Sequence, residues 1–384
     1  MSFFKISGTK QDSHGLELSI NKEFIEAQEG KIAVDSVLGI GSTFTVTLKK
    51  KQGVISQYLY SILSSIEYCF YLLRNKLNIM KYFDIQETKK LLPFTKLVSA
   101  IEKAAIDYAK GTISSPTRLV TPIESGVMLA MPASAPDIAM TKLINICPEN
   151  PSMGLRTING ELIIWDVNTG IPEYILDAPT VTARRTAAVS MLGVKLLAKK
   201  TSIFALYGNG DQASNHTEAI AHLYPYSTLY IIGRNMDNAT QYCKERENLP
   251  LTLIPATQLP DEVDVVITTT TSPTPVYFDM ARPERLVIGV GVFQPEKAEI
   301  EASVVRNSLI FVDDIQSALE EAGDILQAGV DWNEVLPLTD AIQTDINLLN
   351  TSNRPIFFKS VGCAAWDLAA CRVAKRVLES KATD

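Results

Sequence analysis

Between residues 15 and 30 apolar side chains return at helical spacing, at Leu16, Ile20, Phe24 and Ile25, and Gly30 ends the run. "KIAVDSV" and "STFTVTL" then alternate apolar and polar positions as strands do, with "LGIG" as the turn between them. A helix and hairpin of roughly 35 residues is too small to bury a core alone. Residues 49–79 change texture: a charged break, "KKKQG", precedes a stretch rich in Ile, Leu, Tyr, Ser and Asn with no clear period.

A new pattern starts at Met80. A short strand leads into helices closed by Gly111, with Asp84 and Glu87 spaced as a capping box. "GVMLAMPA", "AMTKLINICP" and "GELIIWDVNTGIPEYILD" read as strands, and "NTG" marks a hairpin. "TVTARRTAAVSMLGVKLLA" (180–198) reads as a long helix with a Thr start. From 202 onward apolar strands alternate with helices: "SIFALYG", "TLYIIGR", "LTLIPA", "VDVVITTT", "RLVIGVG" and "LIFVDD" are the strands. That alternation predicts a parallel, doubly wound sheet. The chain closes with a strand, a turn and a long helix in "RPIFFKSVGCAAWDLAACRVAKRVLES".

Composition narrows the function classes. The chain of 384 residues is 46% hydrophobic and 21% charged, as suits a soluble globular protein of two or three domains. Its net charge of −7 argues against nucleic acid, which calls for a basic face. The charge is uneven, +2 over residues 1–79 and −9 over the remainder, so the two parts differ in character. Five scattered cysteines form no CxxC pair and three histidines are badly spaced for a metal, so no metal site is expected. Free thiols and the lack of a signal peptide lead to the expectation of a cytoplasmic protein. The most apolar early run, 54–73, carries Gln57, Glu67 and four serines, and is a poor membrane span.

"GNGDQA" (208–213) lies between a predicted strand and a predicted helix. Gly208 permits a tight turn, Gly210 lets the backbone approach a pyrophosphate, and the helix N-terminus offers free N–H groups to the anion. Ala213 holds the third position of GxGxxG. The alternative is a tight turn that binds nothing. The next strand ends in Gly233, Arg234 and Asn235, with no acid for a ribose 2′-hydroxyl. Arg234 is placed for a 2′-phosphate, which favours NADP(H) over NAD(H), unless it is a solvent-exposed arginine.

Taken together, "RLVTP", "MLAMPA", "TKLINICPENP", "DAPTVTARRTAA", "GNGDQASNH" and "KSVG" resemble the ornithine cyclodeaminase/μ-crystallin family over some 300 residues from about Met80 to the end. "VGVFQPEKAEI", "EAGDILQAGVDW" and "FKSVGCAAWDLAA" look most like its Δ1-pyrroline-2-carboxylate reductase branch. The resemblance implies a Rossmann-type sheet (201–339) inserted into a second α/β domain (80–200 and 340–384) that binds substrate and forms a homodimer. It implies that Arg118, Lys142 and Arg185 grip the substrate carboxylate, with Thr157 among the substrate contacts. Arg184 leaves open which arginine of its pair points inward. Cofactor contacts would come from Thr186, Gly208, Asn209, Gly210, Asp211, Gln212, Ala213, Arg234, Asn235, Thr269, Thr270, Lys359, Ser360, Val361 and Gly362.

One departure from the family pattern carries weight. Ornithine cyclodeaminases hold an Asp in a glycine-rich loop after a late strand, and Phe293 stands in that place here. A phenyl ring neither carries a proton nor pairs with an ammonium. The expectation is therefore reduction of a preformed cyclic imine, Δ1-pyrroline-2-carboxylate or its six-membered homologue, to L-proline or L-pipecolate. Lys142 or a bound water would supply the proton. The alternatives are ornithine cyclodeamination and a μ-crystallin-like protein that binds NADP without turnover.

The opening stretch, "HGLELSINKEFIEAQEGKIAVDSVLGIGSTFTVTL", resembles the last helix and hairpin of a sensor histidine kinase ATP-binding domain. Its glycine box would fall on Ser13 to Leu18, where "SHGLEL" keeps one glycine, Gly15, and places Glu17 toward the phosphates. Residues 1–48 are expected to be a non-functional remnant that binds no ATP, joined through 49–79 to an enzyme that begins at Met80.

Overall fold

The computed structural model describes residues 6–8, 31–37, 41–47, 80–343 and 353–382. Internal contacts divide the chain into two units, Met1–Asn78 and Ile79–Asp384. In the first, β2 (Lys31–Val37) and β3 (Gly41–Thr47) form the expected antiparallel hairpin, in register from Lys31 opposite Thr47 to Val37 opposite Gly41. A short β1 (Ile6–Gly8), unforeseen in the sequence, pairs with the other edge of β3. The expected helix over 15–30, the degenerate glycine box and the 49–79 linker lie outside the described residues.

The second unit contains two sheets. One has six strands in the order β4-β9-β8-β7-β6-β5, from β4 (Lys81–Phe83), β5 (Leu119–Ile123), β6 (Gly126–Ala135), β7 (Ile138–Ile146), β8 (Ile158–Trp165) and β9 (Pro172–Asp177). Only the β4–β9 pair is parallel. Alternation sets its faces: Ile138, Met140, Lys142 and Ile144 of β7 point into the core, with Met131 and Leu162 opposite Lys142 on the flanking strands. Helices Ala178–Leu197 and Ala364–Ala382 cover that inner face, and Phe94–Ala109 packs against both of them.

The long helix Ala178–Leu197 is buried on nearly all sides because it runs between the two sheets. Its cap is Asp177, whose Oδ2 accepts from the Thr180 N–H at 2.9 Å, so the helix begins two residues before the expected Thr. Pro179 in the first turn lacks the N–H that the start of a helix leaves unpaired anyway. The predicted capping box at Asp84 and Glu87 is formed in both directions, at 2.8 and 3.1 Å.

The other sheet has eight parallel strands, β10 (Ile203–Tyr207), β11 (Thr228–Ile232), β12 (Thr252–Ala256), β13 (Val265–Thr268), β14 (Leu286–Gly289), β15 (Leu309–Val312), β16 (Val335–Pro337) and β17 (Ile356–Lys359). Their spatial order is β12-β11-β10-β13-β14-β17-β15-β16, which is the doubly wound arrangement. β13, β14 and β17 are buried throughout, as continuous apolar runs in a sheet covered on both faces should be. The strand order turns at β10, where β11 lies to one side and β13 to the other. Such a switch point opens a crevice at the carboxyl ends of the strands. The segment 340–384 was expected to belong with the substrate domain, but it divides. Its strand β17 is threaded between β14 and β15, and its helix Ala364–Ala382 packs under the six-stranded sheet. The turn between them, Ser360 to Cys363, therefore lies where the two sheets meet.

Candidate active site

The loop after β10 opens the crevice. Gly208 has φ of +114°, and a Cβ there would lie 2.8 Å from the Thr269 hydroxyl, so both conformation and space call for glycine. Gly210 precedes the helix Asp211–Leu223 and no side chain caps its N-terminal N–H groups. Asn209, Gly210 and Asp211 are exposed at the mouth, while Ala213 is buried and lets the helix close on the sheet. The buried Gln212 Oε1 has no hydrogen-bond partner among the described residues. Free amides at a helix N-terminus, open space over Gly210 and an orphaned polar atom suit a bound pyrophosphate.

Other expected cofactor contacts fall differently. Arg234 is exposed at the end of β11 and has no partner among the described residues. Asn235 beside it is occupied as the cap of the helix Met236–Lys244, accepting from the Asp237 N–H at 2.7 Å. The Thr269 N–H and hydroxyl both donate to the Tyr207 carbonyl, each at 2.9 Å, which ties β13 to the phosphate loop. Thr270 is bound to Glu299. The Lys359 ammonium is wholly buried against Asp324 at 2.6 Å and the Val292 carbonyl at 2.7 Å, so it does not reach the crevice. The "KSVG" turn is instead fastened by Asp313, which accepts from the Ser360 hydroxyl at 3.0 Å and from the Val361 and Gly362 N–H groups at 2.9 Å each.

The three expected carboxylate-binding cations meet around this turn. Lys142 holds a position that the strand alternation reserves for an apolar residue, and its Nζ lies 2.6 Å from Asp367 Oδ2 and 3.3 Å from the Thr182 hydroxyl. Arg185, one helical turn along from Thr182, donates its Nε to Asp367 Oδ1 at 2.9 Å. Its terminal nitrogens lie against Gly362, with no protein acceptor among the described residues. Arg118 donates Nη2 to the Gly362 carbonyl at 2.8 Å and pairs through Nε with Glu321 at 3.0 Å.

The neighbouring Arg184 is turned elsewhere. It donates to the Leu92 carbonyl at 2.9 Å, pairs with Glu218 at 3.1 Å and stacks 4.0 Å from the centre of the Phe94 ring. Thr157 does not join the cluster either. Its carbonyl accepts from the Cys147 N–H at the far end of the β7–β8 ladder. Five residues of strand, roughly 16 Å at strand rise, separate that position from Lys142.

Two acids absent from the sequence-based expectation complete the site. Burial works against the ionised form of Asp367, but Arg185 and Lys142 together hold its carboxyl below the usual range. Burial brings Lys142 down to about 8, with Asp367 opposing and Arg185 and Arg118 adding to the fall. Burial likewise pushes Glu321 up to about 7, against the pull of Arg118 and with Glu320, Asp313 and Asp314 adding repulsion. Its Oε2 is buried without a hydrogen-bond partner among the described residues. A cavity of about 170 Å³ opens beside Arg118, between Tyr108, Ser115, Met131, Asp314 and Cys363. The signals for both acids were present in the sequence. Asp367 is a lone charge in the apolar run "CAAWDLAAC", and Glu321 lies in the "EAGD" segment.

A profile of the ornithine cyclodeaminase/mu-crystallin family matches residues 79–382. The chain belongs to that family. Among its members, the Δ1-pyrroline-2-carboxylate reductase 1 of Burkholderia multivorans is 46% identical over 302 residues, covering 78% of this chain and 96% of the relative. The Δ1-pyrroline-2-carboxylate/Δ1-piperideine-2-carboxylate reductase of Azospirillum brasilense is also 46% identical, over 304 residues, with the same coverage. Among solved structures, Thermococcus litoralis Δ1-pyrroline-2-carboxylate reductase in complex with NADH and L-proline superposes with a TM-score of 0.68 at 25% identity, over 79% of this chain and 98% of that one. An archaeal alanine dehydrogenase dimer with bound NAD shares the family fold, at a TM-score of 0.68 and 24% identity over 79% of this chain and 97% of that one. Residues 1–78 lie outside the family match.

The ion triplet gives a prediction for this family member. Asp367→Asn keeps the volume but leaves Lys142 and Arg185 buried without their counter-charge. Removing one partner from such a network costs about 3–5 kcal/mol. The urea unfolding midpoint should fall accordingly, and an unchanged midpoint would contradict the triplet.

Proposed function

We propose that this chain reduces the cyclic imino acid Δ1-pyrroline-2-carboxylate, and its six-membered homologue Δ1-piperideine-2-carboxylate, to L-proline and L-pipecolate with NAD(P)H. The observation that carries the reading is the convergence of Arg118 and Arg185 on Gly362, beside a crevice with a phosphate loop, in a chain 46% identical to reductases of that name. The free guanidinium nitrogens of Arg185 and the partly engaged fork of Arg118 suit a planar carboxylate, which such forks bind in two-point fashion. Lys142 adds a buried positive charge behind them. The two rings differ by one methylene, which a pocket separates by only about 1–3 kcal/mol, in keeping with acceptance of both.

When bound, the nicotinamide supplies the hydride. The chain's own residues do the rest. Arg118 and Arg185 fix the carboxylate, and with it the orientation of the adjacent C=N carbon, which is where positioning contributes most. The imine nitrogen needs a proton as the hydride arrives. Lys142 serves this poorly, since its ammonium is committed to Asp367 and Thr182. Glu321 is better suited: once the substrate carboxylate takes Arg118, the cation that keeps Glu321 ionised is spent, and its carboxyl holds a proton more firmly. No acid stands at Phe293, so ornithine deamination has no group to handle the amine.

NADPH is the proposed cofactor, supported by the exposed Arg234 at the end of β11 and the lack of an acid there. A homodimer is proposed through the outer face of the six-stranded sheet, where Leu119, Met128 and Leu143 are exposed side by side. Among the described residues no helix is long and apolar enough to cross a membrane. The described cysteines are buried and unpaired, which fits the proposed cytoplasmic location. Residues 1–48 are proposed to be a remnant without ATP binding.

Purified protein with the imine should consume NADPH at 340 nm, and no consumption of either reduced cofactor by the wild type would end the reading. A raised carboxyl that acts as an acid works below its pKa, so kcat/KM should fall as pH rises through about 7. Glu321→Gln should lower kcat by about 10²–10⁴-fold, the usual worth of a general acid, and abolish that limb; retention of both rate and limb would remove Glu321 from the role. Arg234→Ala should raise KM for NADPH about tenfold, the effect of losing some 1.4 kcal/mol from one exposed charge-assisted contact, and leave KM for NADH in place. An equal change in both would assign Arg234 to neither.

A further inference from the structure

The loops that leave β13 and β14 are fastened to one buried carboxylate. Glu299, wholly shielded from solvent, accepts through Oε1 from the Thr270 N–H at 2.6 Å and the Thr270 hydroxyl at 2.8 Å. Through Oε2 it accepts from the Gly291 N–H at 2.6 Å. Asp324, also buried, accepts through Oδ1 from the Glu299 and Ile300 N–H groups at 2.6 and 2.9 Å, and its Oδ2 meets the Lys359 ammonium at 2.6 Å. That ammonium donates in turn to the Val292 carbonyl at 2.7 Å. The groups that hydrogen-bond the two carboxylates are all donors, so both serve as acceptors. Burial pushes Glu299 up and the nearby Asp324 adds to this, while Lys359 and the donated hydrogen bonds oppose it.

The carboxyl ends of β13, β14 and β17 are thus bound together through three charged side chains. Their place in the sheet gives this a meaning. β10 carries the phosphate loop and β11 carries Arg234, on the side away from β13. A dinucleotide with its pyrophosphate at β10 and its adenosine toward β11 has its nicotinamide half over β13 and β14. β17 continues into Gly362, which Arg118 and Arg185 touch. The clamp therefore spans the floor between the nicotinamide half and the carboxylate-binding cations.

We infer that Glu299 is a positioning residue for the nicotinamide half of the cofactor: it sets the spacing of the Thr270 and Gly291 loops and, through Asp324 and Lys359, fixes both against the Gly362 turn. This rests on the reading of the chain as a nicotinamide-dependent reductase. Glu299→Gln replaces one acceptor oxygen with a donor and sets it against a backbone N–H, so one loop is released while the phosphate loop and β11 are untouched.

The test compares ligands that contain and lack the nicotinamide half. Binding of NADPH, NADH, 2′,5′-ADP and AMP is measured by titration calorimetry on wild type and Glu299→Gln. The expected result is at least tenfold weaker binding of the reduced dinucleotide that the wild type takes, with the matching adenosine half bound within twofold of wild type. Equal weakening of both ligands would make the role merely structural and overturn the inference, as would a dinucleotide affinity within twofold of wild type. A wild type that binds neither dinucleotide would overturn the reductase reading and the inference with it. If Glu299→Gln does not fold, Glu299→Asp keeps the charge but is too short to reach both loops. It should show the same selective loss, and full dinucleotide affinity in that variant would overturn the inference.

Discussion

A carboxylate buried between two cations governs the candidate site. Asp367 lies in the last helix, Lys142 in the middle of an antiparallel sheet and Arg185 in the helix between the two sheets. Three elements far apart in the chain must be in place before all of these charges are compensated. An uncompensated charge in such a setting costs several kcal/mol, so the triplet links correct packing to the presence of the site. Its geometry also leaves something over. Asp367 takes one nitrogen of Arg185 and the ammonium of Lys142, and the terminal nitrogens of Arg185 remain turned toward Gly362.

Arg118 reaches the same glycine from another direction and carries its own counter-ion, Glu321. Internal carboxylates thus hold the site's cations in places where a substrate carboxylate would compete. Asp367 has two cations and Glu321 has one, which is why burial lifts Glu321 toward neutrality while Asp367 stays well ionised. The weaker of the two internal pairs is the one a ligand would displace. In the proposed mechanism anion binding and proton uptake are parts of one event, which suits the reduction of a C=N bond.

Much of the fold was legible because it depends on local pattern. The parallel strands announce themselves as apolar runs between helical stretches, and Gly208, Gly210 and the following helix mark the phosphate loop without reference to anything distant. Lys142 was a candidate only through the family resemblance, and its inward position on an alternating strand is what the structure adds. Its partner was not a candidate, because Asp367 lies 225 residues away and nothing in either neighbourhood names the other. The same limit explains Lys359, which looked like a cofactor contact within "KSVG" but is spent on Asp324. It explains β17 as well, since parallel pairing joins strands without regard to order along the chain. Thr157 was placed with the substrate contacts, but strand rise carries it to the other end of the ladder.

The central claim is that a ligand carboxylate displaces Glu321 from Arg118 and leaves Glu321 protonated. Calorimetric titration of pyrrole-2-carboxylate, a planar anion with no basic nitrogen, tests this most directly. The protein is held with its nicotinamide cofactor at pH 8, and the titration is run in two buffers of different ionisation enthalpy. The account predicts uptake of about one proton per anion bound, because a carboxyl ionised beside Arg118 becomes neutral when that charge is taken. Binding with the same enthalpy in both buffers, and hence no proton exchange, would contradict it.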